Sequence, residues 1–497
     1  MGMADKMREA FLSWLKLTPA QRRAFTVQEE LDFNANAFKN SLWYRGNAYE
    51  LSQFYSQLEN PNVNFWGASS TPGLEIRRIH TGLPRLIVNT LANIVMTDLN
   101  DFDIEKEAQN KLWDVIATEN DVQSTIKKAV KQTLYVGDGA FKISIDTEIS
   151  EKPIIEWYSG EKVEFVCKRG RVREVVFITE YEHKSNTYFL KEHYGYGYVT
   201  YKLFKKDTEV SLDAIPETAG LVDVTFNNKV ILAVPFKIFE SERWDGRGQS
   251  VFDNKIDNFD SFDEAYSQWI QAMREGRPVK YIPESLIPRD PSTGGFVRPS
   301  AFDNQFIKVA DAMGENAKNE ISLKQPDFPS DDYLQTYITA LDLCLQGLIS
   351  PSTLGIDTKK LDNADAQREK EKATLYSRDA IIDALTPALK KLVIVAIQAD
   401  NILNKHDPEE VEVDITFGEY ANPSFESVVE TLSNPNTPMS IEAKVEEMWG
   451  DSKDEEWKAK EVARIKAQNG IVQMGEPTIT DPWETETDPV EEEGDSE

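Results

Sequence analysis

The sequence predicts an α+β protein: helical stretches on either side of one strand-rich block, followed by a proline-punctuated insertion between helices. Two observations carry the first half of that reading. Apolar residues recur at helical spacing before residue 135 and after residue 253, whereas residues 140–240 are rich in β-branched and aromatic residues broken by short polar turns. The third is the run of Pro278, Pro283, Pro288, Pro291, Pro299 and Pro326 with Gly294 and Gly295, which opposes long helix and favours short strands and loops.

Residues 1–135 read mainly as helix. In GLPRLIVNTLANIVM (82–96), Leu86, Ile87, Val88, Leu91, Ile94 and Val95 form a broad buried face, and Pro84 sits where a helix start tolerates it. The next helical stretch holds Trp113 and Val115 and runs to about Tyr135. FKISID, IIEWY, KVEFVCK, REVVFITEYEH, TYFLKEHYGYGYVTYKLF and KVILAVPFKIF then make an antiparallel β unit. Helix returns at 253–276 and again at 330–349, where Tyr333, Tyr337, Leu341, Leu345 and Leu348 form a stripe. After a loop at 350–362, a long helix runs from near Asn363 to about Lys405. It crosses Pro387, whose missing N–H and ring clash predict a kink. A strand at 411–418 and two further helices complete the order. The tail 475–497 has ten acids, three prolines and neither Lys nor Arg, too little to bury against its ordering entropy, and is expected to be disordered.

The chain has 497 residues, enough for roughly three domains at about 150 residues each. With 40% hydrophobic residues it can build real cores, which excludes global disorder. The formal charge of -30, from 85 acidic and 55 basic residues, favours solubility and argues against tight non-specific adhesion to nucleic acid. DNA that slides past remains compatible. Cys167 and Cys344 form no disulfide framework and no CxxC pair; both read as small buried apolar residues in a reducing cytosol. The N-terminus MGMADKMREAFLSWLKL carries charges inside its apolar stretch, unlike a signal peptide. LVIVAIQA (392–399) is too short to span a bilayer, so no membrane association is expected.

No chemistry announces itself. There is no GxxxxGK[ST], HExxH or GxSxG, and His80, His183, His193 and His406 lack ligand spacing. No catalytic residue, metal or cofactor is expected, and the chain does not read as an enzyme. VGDGAF (136–141) and ERWDGRGQS (242–250) are glycine-rich. The first reads better as a helix-ending turn before a strand than as a phosphate cradle, and the second equally lacks a phosphate-binding signature. A coiled-coil filament would need sustained heptads, which the β unit and the prolines break.

The segments, taken in order over about residues 40–430, resemble the portal proteins of tailed bacteriophages, the head-to-tail connector family of the siphophage type. WYRGNAYELSQFY (43–55), GLPRLIVNTLANIVM, LYVGDGAFKISID (134–146), GQSVFDNKIDNFDSFDEAYSQW (248–269), ISPSTLGID (349–357) and NADAQREKEKATLYSRDAI (363–381) carry the resemblance. It implies a wing at 1–245, with the β unit at 140–240, and a stem helix at 246–277. A clip at 278–329, a second stem helix at 330–349 and a tunnel loop at 350–362 would follow. The kinked channel helix would be 363–405, a wing strand 406–423 and crown helices 424–474, while the acidic tail matches no family motif.

The implied function is a ring, a dodecamer by family analogy, at one capsid vertex. The terminase large subunit would package double-stranded DNA through it, and head-tail connector or adaptor proteins would anchor to it. Major capsid and scaffolding proteins would surround it, and the genome would be ejected through it. The implied location is the virion, with the host cytoplasm during assembly. In the tunnel loop Lys359 and Lys360 would touch DNA phosphates briefly; the alternative is two solvated lysines. In the clip, Lys280, Arg289, Arg298 and Lys308 would meet a partner, or serve as ordinary surface charge. Tyr333, Tyr337 and Trp269 read as core or subunit-interface packing.

Overall fold

The computed structural model describes residues 31–70, 75–227, 229–296, 306–311, 320–325, 328–356, 364–406, 408–418, 440–449 and 455–468. The chain divides into two compact units, residues 1–418 and 419–497. The expected disordered tail and the N-terminal amphipathic stretch lie outside the described residues.

The first unit opens with α1 (Phe33–Arg45), started by the Asp32 carboxylate accepting the Ala35 N–H at 2.8 Å and stopped by Gly46 at φ 72. Asn47 caps α2 (Ala48–Tyr55) in the same way. In α3 (Leu83–Asp98) Ile87, Val88, Leu91 and Val95 are buried as the periodicity requires. Leu86 is not: it is 42% exposed, because each helical residue is rotated about 100° from its neighbour and position 86 falls off the buried stripe.

The helical reading of 1–135 fails in two places. Leu99–Ile104 is a strand, β1, and the following helix is two, α4 (Glu107–Glu119) and α5 (Val122–Val136), parted at Asp121 with φ 44. Trp113 is buried in α4, whereas Val115 is 51% exposed.

The β unit is antiparallel but forms two principal sheets. β2 (Asp138–Ser144) lies between β3 (Ile154–Ser159) and β10 (Ala233–Lys237). The larger sheet runs in sequence order through β4 (Val163–Lys168), β5 (Arg171–His183), β6 (Asn186–Gly195), β7 (Tyr198–Lys205) and β8 (Thr208–Val210), with β9 (Val224–Thr225) on β7. Phe141, Trp157 and Phe236 meet in the smaller sheet, and Phe177 packs on Tyr158 and Tyr194. Lys142 reaches across to Glu192 of the larger sheet at 2.5 Å and pairs with Glu156 of its own sheet at 3.3 Å. Burial opposes its charge, but Tyr194 and the two carboxylates raise its pKa overall. Cys167 departs from expectation: it is exposed on edge strand β4, and only Cys344 is buried.

A short pair, β11 (Phe239–Glu240) and β12 (Gly248–Gln249), leads to α6 (Ile256–Glu275). Then β13 (Val279–Pro283) forms the middle of a sheet, with β14 (Phe306–Val309) parallel on one side and β15 (Ser322–Lys324) antiparallel on the other. α7 (Ser330–Leu345) returns along α6 and ends before the expected 349.

The 40-residue α8 (Ala364–Leu403) supplies much of the core. Leu385, Leu389, Leu392, Val393, Ala396 and Ala399 are fully buried, each large aliphatic contributing about 1.5–3 kcal/mol. The helix is continuous through Pro387. β16 (Val413–Phe417) pairs with β1, and Arg378 binds Asp98 at 2.6 Å and the Gly418 carbonyl, fastening that ladder to α8. The second unit holds α9 (Ile441–Trp449) and α10 (Glu455–Gln468), with Lys466 paired to Glu442 at 2.5 Å.

Candidate functional site

The strongest candidate is the α6–α7 hairpin with the sheet between its helices. One half of α6 is fixed by buried acids. The Asp263 carboxylate, 1% exposed, accepts the Thr81 N–H at 2.9 Å and the Thr81 hydroxyl at 2.8 Å, and His80 Nδ1 lies 2.6 Å away. The Ser267 hydroxyl accepts the Ile79 N–H at 3.0 Å, and Asp260 accepts the Phe65 N–H at 2.8 Å. Burial pushes the Asp260 carboxyl up to about 6, although the Phe65 and Trp66 N–H groups work against it. Sequence reasoning did not single out these acids. The available signal was Asp260 and Asp263 interleaved with Phe259 and Phe262 on an apolar stripe, where an acid needs a buried partner.

The two helices also rely on each other. Tyr337 receives the rings of Phe262, Tyr266 and Trp269 at 5.0, 5.9 and 5.7 Å, and Lys255 and Asn258 donate to the Leu343 carbonyl. Trp269 and Tyr337 are therefore packing residues within the hairpin, and Tyr333 stacks on Phe328. Met273, Leu334 and Leu343 stay 42–47% exposed. The sheet is barer still: Ile307, Ile321 and Leu323 are 47, 57 and 62% exposed, and among its described residues only Pro283 and Ile287 are buried. A sheet whose described residues are so little covered by their own chain calls for a partner surface.

Of the residues singled out in that insertion, Lys280 is exposed on β13. Lys308 pairs with Glu284 at 2.9 Å and lies over the Phe296 ring, and Arg289 covers the same ring at 5.1 Å. These two therefore have local partners. Arg298 lies outside the described residues, as do Lys359 and Lys360.

The loop before α8 is not loose in its first half. The buried Ser350 N–H donates to the Thr374 hydroxyl at 2.9 Å, the Thr353 and Thr374 hydroxyls lie 3.0 Å apart, and the Ser377 hydroxyl donates to the Leu348 carbonyl at 2.6 Å. A left-handed Gly355 at φ 70 ends this pinned turn. Pro387 lines a largely apolar cavity of about 270 Å³ with Ala384, Ala388, Val234 and Phe236. The proline has no N–H to give the Asp383 carbonyl, so the helix there lacks one ladder bond.

The two glycine-rich segments turn out to face each other. A Cβ on Gly137 would stand 2.7 Å from the Gly248 carbonyl, so the backbones approach as only glycines permit. Asp138 is gripped by the Arg247 guanidinium at 2.8 and 2.9 Å and accepts the Gly248 N–H at 2.6 Å; Arg247 also donates to the Gly160 and Val163 carbonyls. Burial pushes the Asp138 carboxyl up while Arg247 pulls it down. Both segments serve packing, with no cradle for a phosphate. Among the described residues no cluster of His, Cys, Asp and Glu could hold a metal ion, and no helix is long and apolar enough to cross a membrane.

No family model matches the chain, and no curated protein matches it. Among solved structures, it is similar to a chain from the neck of a native GTA particle computed with C12 symmetry. The likeness covers 75% of this chain and 91% of that one, at 13% identity and a TM-score of 0.40.

Proposed function

We propose that this protein is a phage portal subunit: a member of a closed ring, twelve-fold by family analogy, through which terminase packages duplex DNA and the genome later leaves. The observation that carries the reading is the α6–α7 hairpin with its bare sheet. Its inner half is locked to the body by Asp260, Asp263 and Ser267, while its outer half and the sheet leave Met273, Leu334, Ile307 and Leu323 exposed. A copy of the same chain placed beside it would cover those residues, and one heterologous contact repeated with a closing rotation makes a ring. The order of portal-like segments in the sequence supports the same reading. On it the chain is not an enzyme and needs no cofactor. The predominantly acidic composition suits a channel that must not grip DNA, since each neutralised phosphate would strengthen binding through counterion release. Connector, capsid and scaffolding proteins would meet the outer surfaces.

Lys359 and Lys360 are the residues we assign to transient phosphate contact. Lys359→Glu/Lys360→Glu is expected to leave ring yield unchanged and to reduce the DNA packaged per particle severalfold. Normal packaging by a fully assembled variant would remove these lysines from the mechanism.

A further inference from the structure

Four cations crowd the β4–β5 turn. Lys168 ends β4, Arg169 and Gly170 make the turn, Arg171 opens β5 and Arg173 follows two residues on. All four are exposed, together they line one open recess, and none has an ion-pair partner among the described residues. The nearby carboxylates are committed elsewhere: Glu164 to Lys191 at 2.9 Å, Glu174 to His193 and Tyr198 at 2.5 and 2.7 Å.

The cluster is assembled against local preference twice. Lys168 and Arg171 are direct cross-strand partners, so like charges stand opposite each other, which destabilises an antiparallel pair. Arg169 holds φ 53 beside Gly170 at φ 71, a two-residue turn whose first position favours Asn or Asp. Direct pairing puts Arg171 on the face that carries Lys168, a bulge in the register brings Arg173 in beside them, and Val172 lines the apolar cavity beside α8 with Phe165. The inner face holds the hairpin down and the outer face displays charge. Unfavourable local choices that agree on one chemistry mark a functional surface.

We propose that this hairpin binds the phosphodiester backbone of duplex DNA. Three of the four cations are guanidinium forks, which match phosphate oxygens in pairs. The recess is lined by the four cations, with Arg173 over the exposed Tyr196 ring at 5.9 Å. The proposal does not rest on Lys359 and Lys360, and it stands whether or not the chain forms rings.

Cys167 provides the probe. It is exposed one residue before the cluster, whereas Cys344 is buried with its thiol pushed up to about 12, so a maleimide dye marks the hairpin of the full-length chain. Titration with a short random-sequence duplex at low salt is expected to give a saturable dye response. In Lys168→Thr/Arg169→Asn/Arg171→Thr, binding should weaken at least tenfold and the log–log salt slope should flatten by about 2.7, from about 0.9 per phosphate contact. Arg169→Asn alone suits the turn better than the native residue, so it folds in any case; its slope should flatten by about 0.9. No response from the unmodified chain, or unchanged slopes in both variants, overturns the proposal. Equal displacement by inorganic phosphate at matched ionic strength would reduce it to a small-anion site, and equal displacement by polyglutamate would assign the surface to an acidic protein instead.

Discussion

Asp260 and Asp263 sit on the apolar stripe of α6, and the sequence around them explains why they matter. An acid among Phe259 and Phe262 must leave water, and it is tolerated only because Phe65, Thr81 and His80 bring donors to it. Asp260 is the less fully compensated: its carboxyl titrates near 6 against an ordinary 3.8, with burial as the main cause. Between those two values the folded chain holds the proton that the unfolded chain has released, so stability falls as pH rises through that window and is level above it. Asp260→Asn keeps an oxygen for the Phe65 N–H and is expected to abolish up to about 3 kcal/mol of this pH dependence. Denaturant unfolding from below 3.8 to above 6 checks it: an unaltered slope in the variant would mean the carboxyl is not the titrating group.

The 350–356 turn shows what a single hydroxyl does for an element. Thr374 reaches back from α8 to the buried Ser350 N–H. Thr374→Val keeps the shape and strands that donor, at about 1–3 kcal/mol. Hydrogen exchange should find the Ser350 amide slow in the native chain and much faster in the variant; equal protection would show the contact is incidental. The local sequence of the loop does not show this restraint, because the side chain that carries it stands 24 residues further on.

The same asymmetry runs through the fold. α3, α6, α7 and α8 were legible because each repeats its apolar positions within one element. β1 was not, since its partner is β16, with Ile104 opposite Val413, and no local turn announces the pairing. Cys167 was misplaced because strand texture does not say which strand is the edge. The glycine-rich segments were recognised as punctuation, but that Gly137 and Gly248 meet each other is a tertiary fact.

The molecule as a whole combines a well-packed body, spanning the α3–α8 core, with a hairpin and sheet that lack a full cover of their own. A lone subunit would expose Ile307, Ile321, Leu323, Leu334 and Leu343 to water, a surface that monomeric proteins avoid unless it is used. The portal reading answers with neighbouring copies, and the answer can be checked without any phage. Particle imaging of the purified full-length chain over a range of concentration and salt tests it most directly. The account predicts closed rings with a central hole wide enough for duplex DNA. A stable monomer at every concentration and salt, with the hairpin still exposed, would contradict it.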